Sequence, residues 1–552
     1  MALRPKLEAL LLAAALALFL LGSRMPDLRV PDAPRYALVA QEILAWDAGW
    51  RGTILLHLHG ETYTQKPPLY FWLSALAGWP GGRVTPMAAR LPSLLAALGT
   101  LAAVLALGRS FPRRFAGLAG ASILLSSPQF ANLATSARLD SLLTFFTTAA
   151  LLCFWRLDRG IGRPRPSRIG FHLALALGLL TKGPVALALP LAGIVAYLAV
   201  ERRTADLRRV VSLRSLGLVC TPLVLWTGLA AAASGNPLAY LRVGVWENVV
   251  GRSLQGSHHL ETPLFYLRKL PESFLPYTLL WIPAAFVGWR VVTTEPADSE
   301  RRRLWILLLC AVFAPLLVLS ASTGKRLVYA LPLYPVASLL CADAGLEAFA
   351  RLSRRHAGWG TAITGACAAL LALAGALLVT GILPPPRGVT GIERFGLGVI
   401  AVAGLGALVP AALRRVCEPG GARFGGLLVT MGMLELLAAV QLLPAYRAAK
   451  GHRLLALAAR SAAGDGAIGL VSRSKQLRSE LGYYAGGEIL LFDQPGEGLR
   501  FLTKGGRALV VSESILPRLE ETGAVRPLAR PQNGAALVGP VAAGPRDPEA
   551  SR

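Results

Sequence analysis

One stretch of this 552-residue chain stands apart from the apolar sequence around it. Residues 31–72 read PDAPRYALVAQEILAWDAGWRGTILLHLHGETYTQKPPLYFW. The whole chain is 54% hydrophobic, yet this stretch gathers carboxylates, histidines and basic groups directly after the first long apolar run. Ionisable groups are costly next to hydrocarbon, so their concentration here indicates a functional loop at a membrane surface.

Outside this loop, apolar runs long enough to cross a bilayer recur along most of the chain, in agreement with a mean hydropathy of +0.51. Counting these runs predicts about 13 transmembrane helices, and hence a mainly α fold built as a polytopic membrane bundle. The predicted spans are 7–22, 88–108, 115–133, 140–156, 168–181, 184–200, 214–233, 274–290, 303–321, 327–346, 358–382, 396–413 and 425–444.

The net charge of +26 would suit a nucleic-acid-binding protein if the basic residues formed a continuous patch. Instead, Lys and Arg cluster in short segments between alternate apolar runs, which is the pattern of cytoplasmic loops. We therefore expect a multi-pass protein of a bacterial inner membrane, with a cytoplasmic N-terminus and a periplasmic C-terminus, and no nucleic-acid partner. The six cysteines lie in or near the spans without C-x-x-C spacing, so neither a disulfide framework nor a zinc knuckle is indicated.

The composition changes near residue 445. Residues 1–445 are expected to form the transmembrane catalytic domain, with surface helices in its outer loops at about 24–87 and 235–273. Residues 446–540 alternate short apolar runs with helix-like segments, which predicts a small α/β domain on the periplasmic side. The tail at 541–552 is rich in Ala, Gly, Pro and charge, and is expected to be disordered.

Two motifs in the opening stretch resemble the first outer loop of bacterial GT-C membrane glycosyltransferases. They are Asp-Ala-Pro-Arg-Tyr-Ala at 32–37 and Lys-Pro-Pro-Leu-Tyr-Phe-Trp at 66–72, in that order behind a first apolar helix. The chain is most similar to the lipid A aminoarabinose transferases and their protein-mannosyltransferase-like relatives. The resemblance implies transfer of a sugar from a polyprenyl-phosphate donor to a lipid A-like, glycan or protein acceptor, with inversion. The absence of D-x-D, P-loop and G-x-G-x-x-G motifs fits a donor that carries no nucleotide.

Asp32 is the predicted general base, because sugar transfer needs a group that takes the proton of the acceptor hydroxyl. The family has a carboxylate with that proposed role at this position, although an isolated aspartate here could also be a helix cap. Asp140 is the second catalytic candidate, at the start of the fourth span, where a simple N-cap is the alternative. Arg35, Tyr36 and Glu42 are expected to form the substrate loop.

Five further residues are candidates for binding the donor phosphate, because fixed cations stabilise a departing phosphate. They are Lys66, Arg252, Tyr329, Lys325 and Lys182. Tyr329 matches a family motif with an analogous role. For the two lysines at 182 and 325, the alternative is an interfacial side chain that reaches for water.

The resemblance implies one candidate cofactor, a divalent metal ion. In the aminoarabinose transferases a histidine near His259 and a glutamate before Lys-Pro-Pro can bind such an ion. This chain has Gln65 at the glutamate position, and a neutral amide is a poor zinc ligand. His259 is therefore as readily a surface residue as a metal ligand.

Two other classes of protein share some of these features. A lipid or sugar transporter or flippase would also be polytopic, but its charges would concentrate in mid-membrane rather than at one face. A structural or assembly protein would need no chemistry at all. Convergence of Asp32, Asp140, Lys66 and Arg252 on one site distinguishes the enzyme from both alternatives.

Overall fold

The computed structural model describes residues 3–28, 32–45, 49–251, 261–322, 324–355, 359–383, 392–415, 417–442, 452–472 and 474–541. Within these ranges the chain is mainly helical, so the predicted fold class is confirmed. Each of the thirteen apolar runs coincides with helix. Side-chain caps start several of these helices; for example, Thr85 Oγ1 accepts a hydrogen bond from the backbone N–H of Ala88 at 3.1 Å.

The first half of the chain contains thirteen helices and one hairpin. The helices are α1 (Leu3–Ser23), α2 (Ala33–Ala45), α3 (Trp50–Ile54), α4 (Leu69–Gly78), α5 (Pro86–Gly108), α6 (Ala116–Leu125), α7 (Pro128–Ala134), α8 (Asp140–Asp158), α9 (Pro164–Lys182), α10 (Val185–Val200), α11 (Leu207–Val210), α12 (Leu213–Ala233) and α13 (Pro237–Leu241). The hairpin pairs β1 (His57–Leu58) with β2 (Glu61–Thr62).

The remaining helices of the bundle are α14 (Phe265–Ser273), α15 (Trp281–Thr294), α16 (Glu300–Ala321), α17 (Tyr334–Arg355), α18 (Trp359–Val379), α19 (Ile392–Leu413) and α20 (Pro419–Leu437). Short 3-10 turns occupy Trp79–Gly81, Thr204–Asp206, Tyr277–Leu280 and Leu327–Leu333, and π-helical turns occupy Arg242–Gly251 and Ala438–Leu442. Large side chains such as Trp155, Trp305 and Phe171 are fully buried in one continuous core.

Fewer helices than predicted meet the length and composition of a full span. Among the described residues nine do, or ten if the bent pair Phe265–Ser273 and Tyr277–Thr294 counts as one. The other three predicted spans correspond to the shorter apolar helices α6 and α10, and to α9, which carries arginines in its first turns. These three pack inside the bundle, where neighbouring helices rather than lipid surround much of their surface.

The two ends of the bundle differ in charge. Arg109, Arg156 and Arg301 line one cavity of about 850 Å³, at the same end of α8 as Asp158. Asp140 begins that helix of 19 residues, so the two ends are separated by about 28 Å. The arginine-rich segments between the spans therefore gather away from Asp140, as expected if they face the opposite side of a membrane.

A sheet of five strands follows the bundle, as predicted for the C-terminal region. Its order is β4 (Ile489–Leu491), β3 (Ile468–Val471), β5 (Leu509–Ser512), β7 (Ala535–Pro540) and β6 (Val525–Gln532), with β3–β4 and β3–β5 parallel and the other pairs antiparallel. The associated helices are α21 (Arg453–Ala463), α22 (Lys475–Tyr484), α23 (Pro495–Thr503) and α24 (Leu516–Glu520). Helix α21 and strand β6 were not anticipated from the sequence.

Candidate active site

Asp32 lies in the turn that opens α2, with 7% of its surface exposed. Its carboxylate contacts three arginines from distant parts of the chain. Arg35 Nη2 donates to Oδ1 at 2.7 Å, while Arg138 Nη2 and Arg326 Nη1 each lie 3.1 Å from Oδ2. Among the described residues, Oδ1 accepts only the Arg35 hydrogen bond. A carboxylate oxygen can accept two, so Oδ1 has room for one further donor.

Asp140 lies next to this group, at the first residue of α8. Its Oδ2 accepts a hydrogen bond from Arg138 Nε at 2.9 Å, and its Oδ1 accepts one from Lys182 Nζ at 2.5 Å. Arg138 therefore bridges the two carboxylates. The ammonium of Lys182 also lies 4.5 Å from the ring centroid of Tyr329, in cation–π geometry. One series of contacts thus connects Asp32 to Tyr329.

The backbone around Arg138 is held by a single serine. Ser93 Oγ, on α5, accepts a hydrogen bond from Arg138 N at 3.1 Å and donates one to Arg138 O at 2.7 Å. Both residues are almost completely buried. The bridging guanidinium is therefore anchored to the helix bundle and not to a free loop.

Helix ends place the other cations of the site. Lys182 is the last residue of α9, because Gly183 follows with φ of 78°, a conformation that suits glycine. Arg326 precedes the 3-10 turn at Leu327–Leu333, and its carbonyl accepts a hydrogen bond from the Tyr266 hydroxyl at 3.2 Å. These breaks between helices aim Lys182 and Arg326 at the two carboxylates.

Positive charges outnumber negative charges in this cluster. Burial opposes ionisation of Asp32, but the charges of Arg138, Arg35 and Arg326 outweigh burial and hold the pKa of this carboxyl below its usual value. The cluster contains two carboxylates and four cations, which are Arg35, Arg138, Arg326 and Lys182. An excess of two positive charges at a partly buried site favours an anionic ligand.

Arg35 and Tyr36, predicted as substrate-loop residues, extend the cluster along α2. Arg35 Nη1 donates to Gln65 Oε1 at 3.3 Å, and its guanidinium lies 5.3 Å from the centroid of the Tyr36 ring. Tyr36 is 3% exposed and makes edge-on contacts with Tyr70 and Phe71 on α4. Aromatic packing between α2 and α4 therefore fixes the helix that carries Arg35.

Two other predicted residues, Glu42 and Lys325, make hydrogen bonds outside this series. Glu42 accepts hydrogen bonds from the backbone N–H groups of His59 and Gly60, at 2.6 and 3.2 Å, and so holds the β1–β2 turn. Lys325 is 3% exposed and donates to the carbonyls of Glu261 and Ser322, at 3.0 and 2.5 Å. Lys66 directly follows Gln65 and is half-buried.

Arg252 and His259 lie outside the described residues, so their places in the site stay predictions. Among the described residues, no group of three His, Cys, Asp or Glu side chains could hold a metal ion. The carbonyl oxygen of Gln65 already accepts a hydrogen bond from Arg35, and that guanidinium would repel a cation. The described residues thus do not fit the divalent metal that the resemblance suggested.

Sequence reasoning gave no site role to two members of the cluster, although Arg326 was among the outer-face cations that indicated an anionic ligand. Arg138 stands two residues before Asp140, and Arg326 stands next to Lys325, yet neither was chosen as a site residue. The available signal was their position at the predicted outer face, where the positive-inside pattern does not account for arginine. That signal was too general to pair either residue with Asp32.

A groove of about 460 Å³ lies beside the cluster. It is lined by Glu261, Pro263, Leu317, Ser320, Ala321, Ser322 and Lys325. Leu317 is 71% exposed on α16, a candidate membrane span. The groove therefore runs between Lys325, the neighbour of Arg326 in the chain, and an exposed apolar side chain of a candidate membrane span.

Known proteins with similar sequences include a family of mannosyltransferases and several arabinosyl transferases. Residues 9–234 match the family model described as dolichyl-phosphate-mannose-protein mannosyltransferase. The chain is 32% identical over 346 residues to the undecaprenyl phosphate-alpha-4-amino-4-deoxy-L-arabinose arabinosyl transferase of Pseudomonas savastanoi pv. phaseolicola, covering 61% of each chain. It is 30% identical over 388 residues to transferase 1 of that name from Sodalis glossinidius, covering 68% of this chain and 65% of that one. The chain thus spans less than two thirds of these relatives.

Solved structures match this chain over more of its length than the relatives above, but at lower sequence identity. ArnT from Cupriavidus metallidurans bound to undecaprenyl phosphate is similar with a TM-score of 0.76 at 19% identity, covering 98% of this chain and 99% of that chain. The archaeal oligosaccharyltransferase AglB from Archaeoglobus fulgidus gives a TM-score of 0.53 at 14% identity, covering 93% of this chain and 70% of that chain. The resemblance expected from residues 31–72 is confirmed, and the chain is a membrane protein of the GT-C fold, similar to the aminoarabinose transferases.

Proposed function

We propose that this protein is an integral membrane glycosyltransferase that moves a sugar from a polyprenyl phosphate to a lipid or glycan acceptor. The cluster around Asp32 and Asp140 is the proposed catalytic site. The proposal places this site at the outer face of a bacterial inner membrane, with a cytoplasmic N-terminus. In it, residues 1–445 form the catalytic unit and residues 446–540 a smaller unit on the same outer side.

The observation that carries the proposal is the excess of positive charge beside a carboxylate with an open acceptor position. A sugar phosphodiester donor carries one negative charge, and the lipid phosphate that departs gains a second as the sugar leaves. Two surplus cations in a partly buried site would stabilise that growing charge. The names of the similar arabinosyl transferases support a polyprenyl-phosphate donor.

The reaction requires one bond to form as another breaks. The acceptor oxygen attacks the anomeric carbon, and the bond from that carbon to the phosphate oxygen breaks, so the electron pair leaves with the lipid phosphate. The acceptor's proton passes to Asp32 through Oδ1. A single displacement of this kind inverts the anomeric configuration.

The depressed pKa of Asp32 has a consequence for this step. The carboxyl is ionised at neutral pH and needs no prior deprotonation, but it is a weak base. We therefore infer that it takes the proton late, when the bond to the phosphate is already largely broken and the attacking hydroxyl has become acidic. The cations that hold the departing phosphate then contribute as much to the rate as the base does.

On this proposal Lys182, Arg326 and Tyr329 lie nearest to the phosphate, with Lys66 and Arg252 as further candidates. The groove lined by Leu317 and Lys325 is a suitable path for the isoprenoid chain, since Lys325 precedes Arg326 and Leu317 is exposed on a candidate membrane span. Lys325 would then hold the groove wall through its two carbonyl contacts rather than bind phosphate directly.

The test is a transfer assay with the purified full-length chain in lipid nanodiscs, using undecaprenyl phosphate-linked aminoarabinose and undecaprenyl phosphate-linked hexose as donors. Asp32→Asn is expected to lower the rate at least about 100-fold, because general-base catalysis contributes on this scale. Asp158→Asn is the matched control: Asp158 also pairs with an arginine, Arg203 at 2.8 Å, but at the other end of α8.

Binding of undecaprenyl phosphate alone separates the two roles. Lys182→Met is expected to weaken this binding about tenfold or more, whereas Asp32→Asn leaves it intact or strengthens it, because a negative charge is lost. Full activity of the Asp32→Asn protein would refute the base assignment. Equal binding by the Lys182→Met protein and the wild type would refute the phosphate assignment.

A further inference from the structure

Helix α22 of the C-terminal sheet unit lies directly against α2, the helix that Asp32 opens. Its last three residues, Gly482, Tyr483 and Tyr484, make the contact. None of them belongs to the charged cluster described above. Each contacts a different part of the structure around Asp32, and together they connect the C-terminal unit to the candidate active site.

Tyr484 binds the chain that leads into Asp32. Its hydroxyl accepts a hydrogen bond from the backbone N–H of Leu28 at 2.5 Å and donates one to the Pro26 carbonyl at 3.2 Å. Leu28 is 2% exposed and lies four residues before Asp32. Residues 24–28 follow α1 and are not helical, so their backbone groups need partners other than those of a helix. The Tyr484 hydroxyl is the partner of two of these groups.

Arg90, on α5, holds the same segment from the other direction. It is 1% exposed, and its guanidinium donates to the carbonyls of Ser23 at 2.8 Å, of Asp27 at 2.5 Å and of Met25. The positions of residues 23–28, shortly before Asp32, are thus set by one side chain of the bundle and one of the C-terminal unit.

Tyr483 connects the C-terminal unit to the segments that carry Asp32 and Arg138. Its hydroxyl donates to the Val84 carbonyl at 2.7 Å, and the N–H of Val84 donates to Gln41 on α2 at 2.8 Å. Tyr483 also belongs to one buried apolar cluster with Ala33 and Ala137. Ala33 follows Asp32 in the chain, and Ala137 precedes Arg138, so this cluster spans the neighbours of both charged residues.

Gly482 permits the close approach of α22. A Cβ atom at this position would lie 2.7 Å from His59 Cε1 and 2.8 Å from Leu38 Cδ2. Leu38 is on α2, and His59 is in the hairpin turn that Glu42 of α2 holds. A larger residue at 482 must therefore displace the ends of the Leu38 and His59 side chains or push α22 away from α2.

We propose that Gly482, Tyr483 and Tyr484 are positioning residues, and that docking of the C-terminal unit holds Asp32 against Arg138 in the catalytic arrangement. The catalytic part of this inference rests on the proposed function, whereas the docking part does not. Within the described part of the chain, the Lys182 side chain contacts Asp140 and Tyr329, and neither it nor Tyr329 makes a hydrogen bond or ring contact with α22. Loss of docking is therefore expected to lower kcat while the KM for the donor changes little.

Two measurements on the full-length chain in nanodiscs test this inference. In hydrogen–deuterium exchange, Tyr484→Phe and Gly482→Ala are expected to speed exchange at least about fivefold in α2 and in the segment after α1, because opening of this region becomes easier. In the transfer assay, the same variants are expected to lower kcat about tenfold or more, with the donor KM within about twofold of wild type.

Ser474→Ala is the matched control, because Ser474 caps the opposite end of α22 through the N–H of Leu477 at 3.2 Å and touches neither α2 nor the hairpin. It should leave exchange in α2 unchanged. The double variant Gly482→Ala with Leu38→Ala should regain part of the lost rate, since the second change makes space for the added methyl group.

Unchanged exchange in α2 for both Tyr484→Phe and Gly482→Ala would overturn the docking role. Faster exchange with an unchanged kcat would overturn the positioning role while keeping the docking. If Gly482→Ala fails to fold, Tyr483→Phe and Tyr484→Phe decide the question, since they retain the rings. If the wild type transfers no sugar from any donor, the proposed function fails, and the exchange result still decides the docking.

Discussion

Arg138 binds both Asp32 and Asp140 and so joins the two carboxylates into one site. It is 3% exposed, and its guanidinium contacts Asp32 and Asp140 at once. Without it the two negative groups would face each other, and the charge of Asp140 already acts to raise the pKa of Asp32. The bridging arginine therefore sets both the spacing and the protonation of the proposed base.

This role predicts a change in pH dependence at the residue scale. Arg138 lowers the pKa of Asp32, so Arg138→Gln should raise that pKa and move the acidic limb of the pH–rate profile to higher pH. Arg138→Lys keeps the charge and should move the limb less. The measurement is the transfer rate of each variant between about pH 4 and pH 8; superimposable profiles would contradict the electrostatic role.

At the scale of elements, the bundle depends on close contacts between helices at small residues. A Cβ at Gly108, the last residue of α5, would lie 2.2 Å from the Cα of Gly117 on α6. Helix α5 carries Ser93, which binds the backbone of Arg138. Helix α6 is followed by α7, which ends just before the turn that contains Arg138.

We expect Gly108→Ala to lower the free energy of unfolding by about 1–3 kcal/mol, the usual cost of overpacking. Gly217→Ala, on α12, is the control, because a Cβ there has nothing within 4 Å. That change should be neutral or stabilising by up to about 1 kcal/mol, since alanine favours helix over glycine. Chemical unfolding in detergent measures both; equal effects would mean that the contact does not limit packing.

At the scale of the whole molecule, a second ionic cluster holds the end of the bundle opposite to Asp32. Asp343 and Glu347 on α17 are almost fully buried and bind arginines from several other elements. From other elements these are Arg113, Arg290 and Arg301, and Arg351 of α17 itself also pairs with Glu347. The Trp305 Nε1–H on α16 also donates to Asp343 Oδ2 at 2.9 Å. The cluster joins α15, α16 and α17 and is suited to stability rather than chemistry.

Asp343→Ala is expected to cost about 1–3 kcal/mol of stability, because the buried N–H of Trp305 loses its acceptor, whereas Arg113 and Arg301 keep Glu347 as a partner. Glu418→Gln is the control: its pair with Arg354 is 4.0 Å long and highly exposed, and such pairs contribute at most about 1 kcal/mol. Undecaprenyl phosphate binding by the folded Asp343→Ala protein should be unchanged, since the proposed site lies at the other end. Weaker binding would show that the two clusters are coupled.

Local patterns in the sequence were enough for the helical class and the C-terminal sheet, and Asp32, Asp140 and Lys182, which they singled out, lie in one series of contacts. Apolar runs determine helices in a membrane because every backbone group must find a partner within its own segment. Strand β6 was missed because its residues, VRPLARPQ, include two prolines and two arginines and do not alternate clearly. Helix α21 was missed because it follows the last apolar run without a clear boundary.

Only the tertiary structure decided which charges meet. Asp32 and Arg326 are 294 positions apart, and their 3.1 Å contact depends on how the helices are arranged around them. Electrostatic attraction depends on distance in space and on burial, and neither can be read from the order of residues along the chain. The sequence by itself determined the helices and the chemical types at their ends; packing between distant elements determined that Arg138 bridges the two carboxylates.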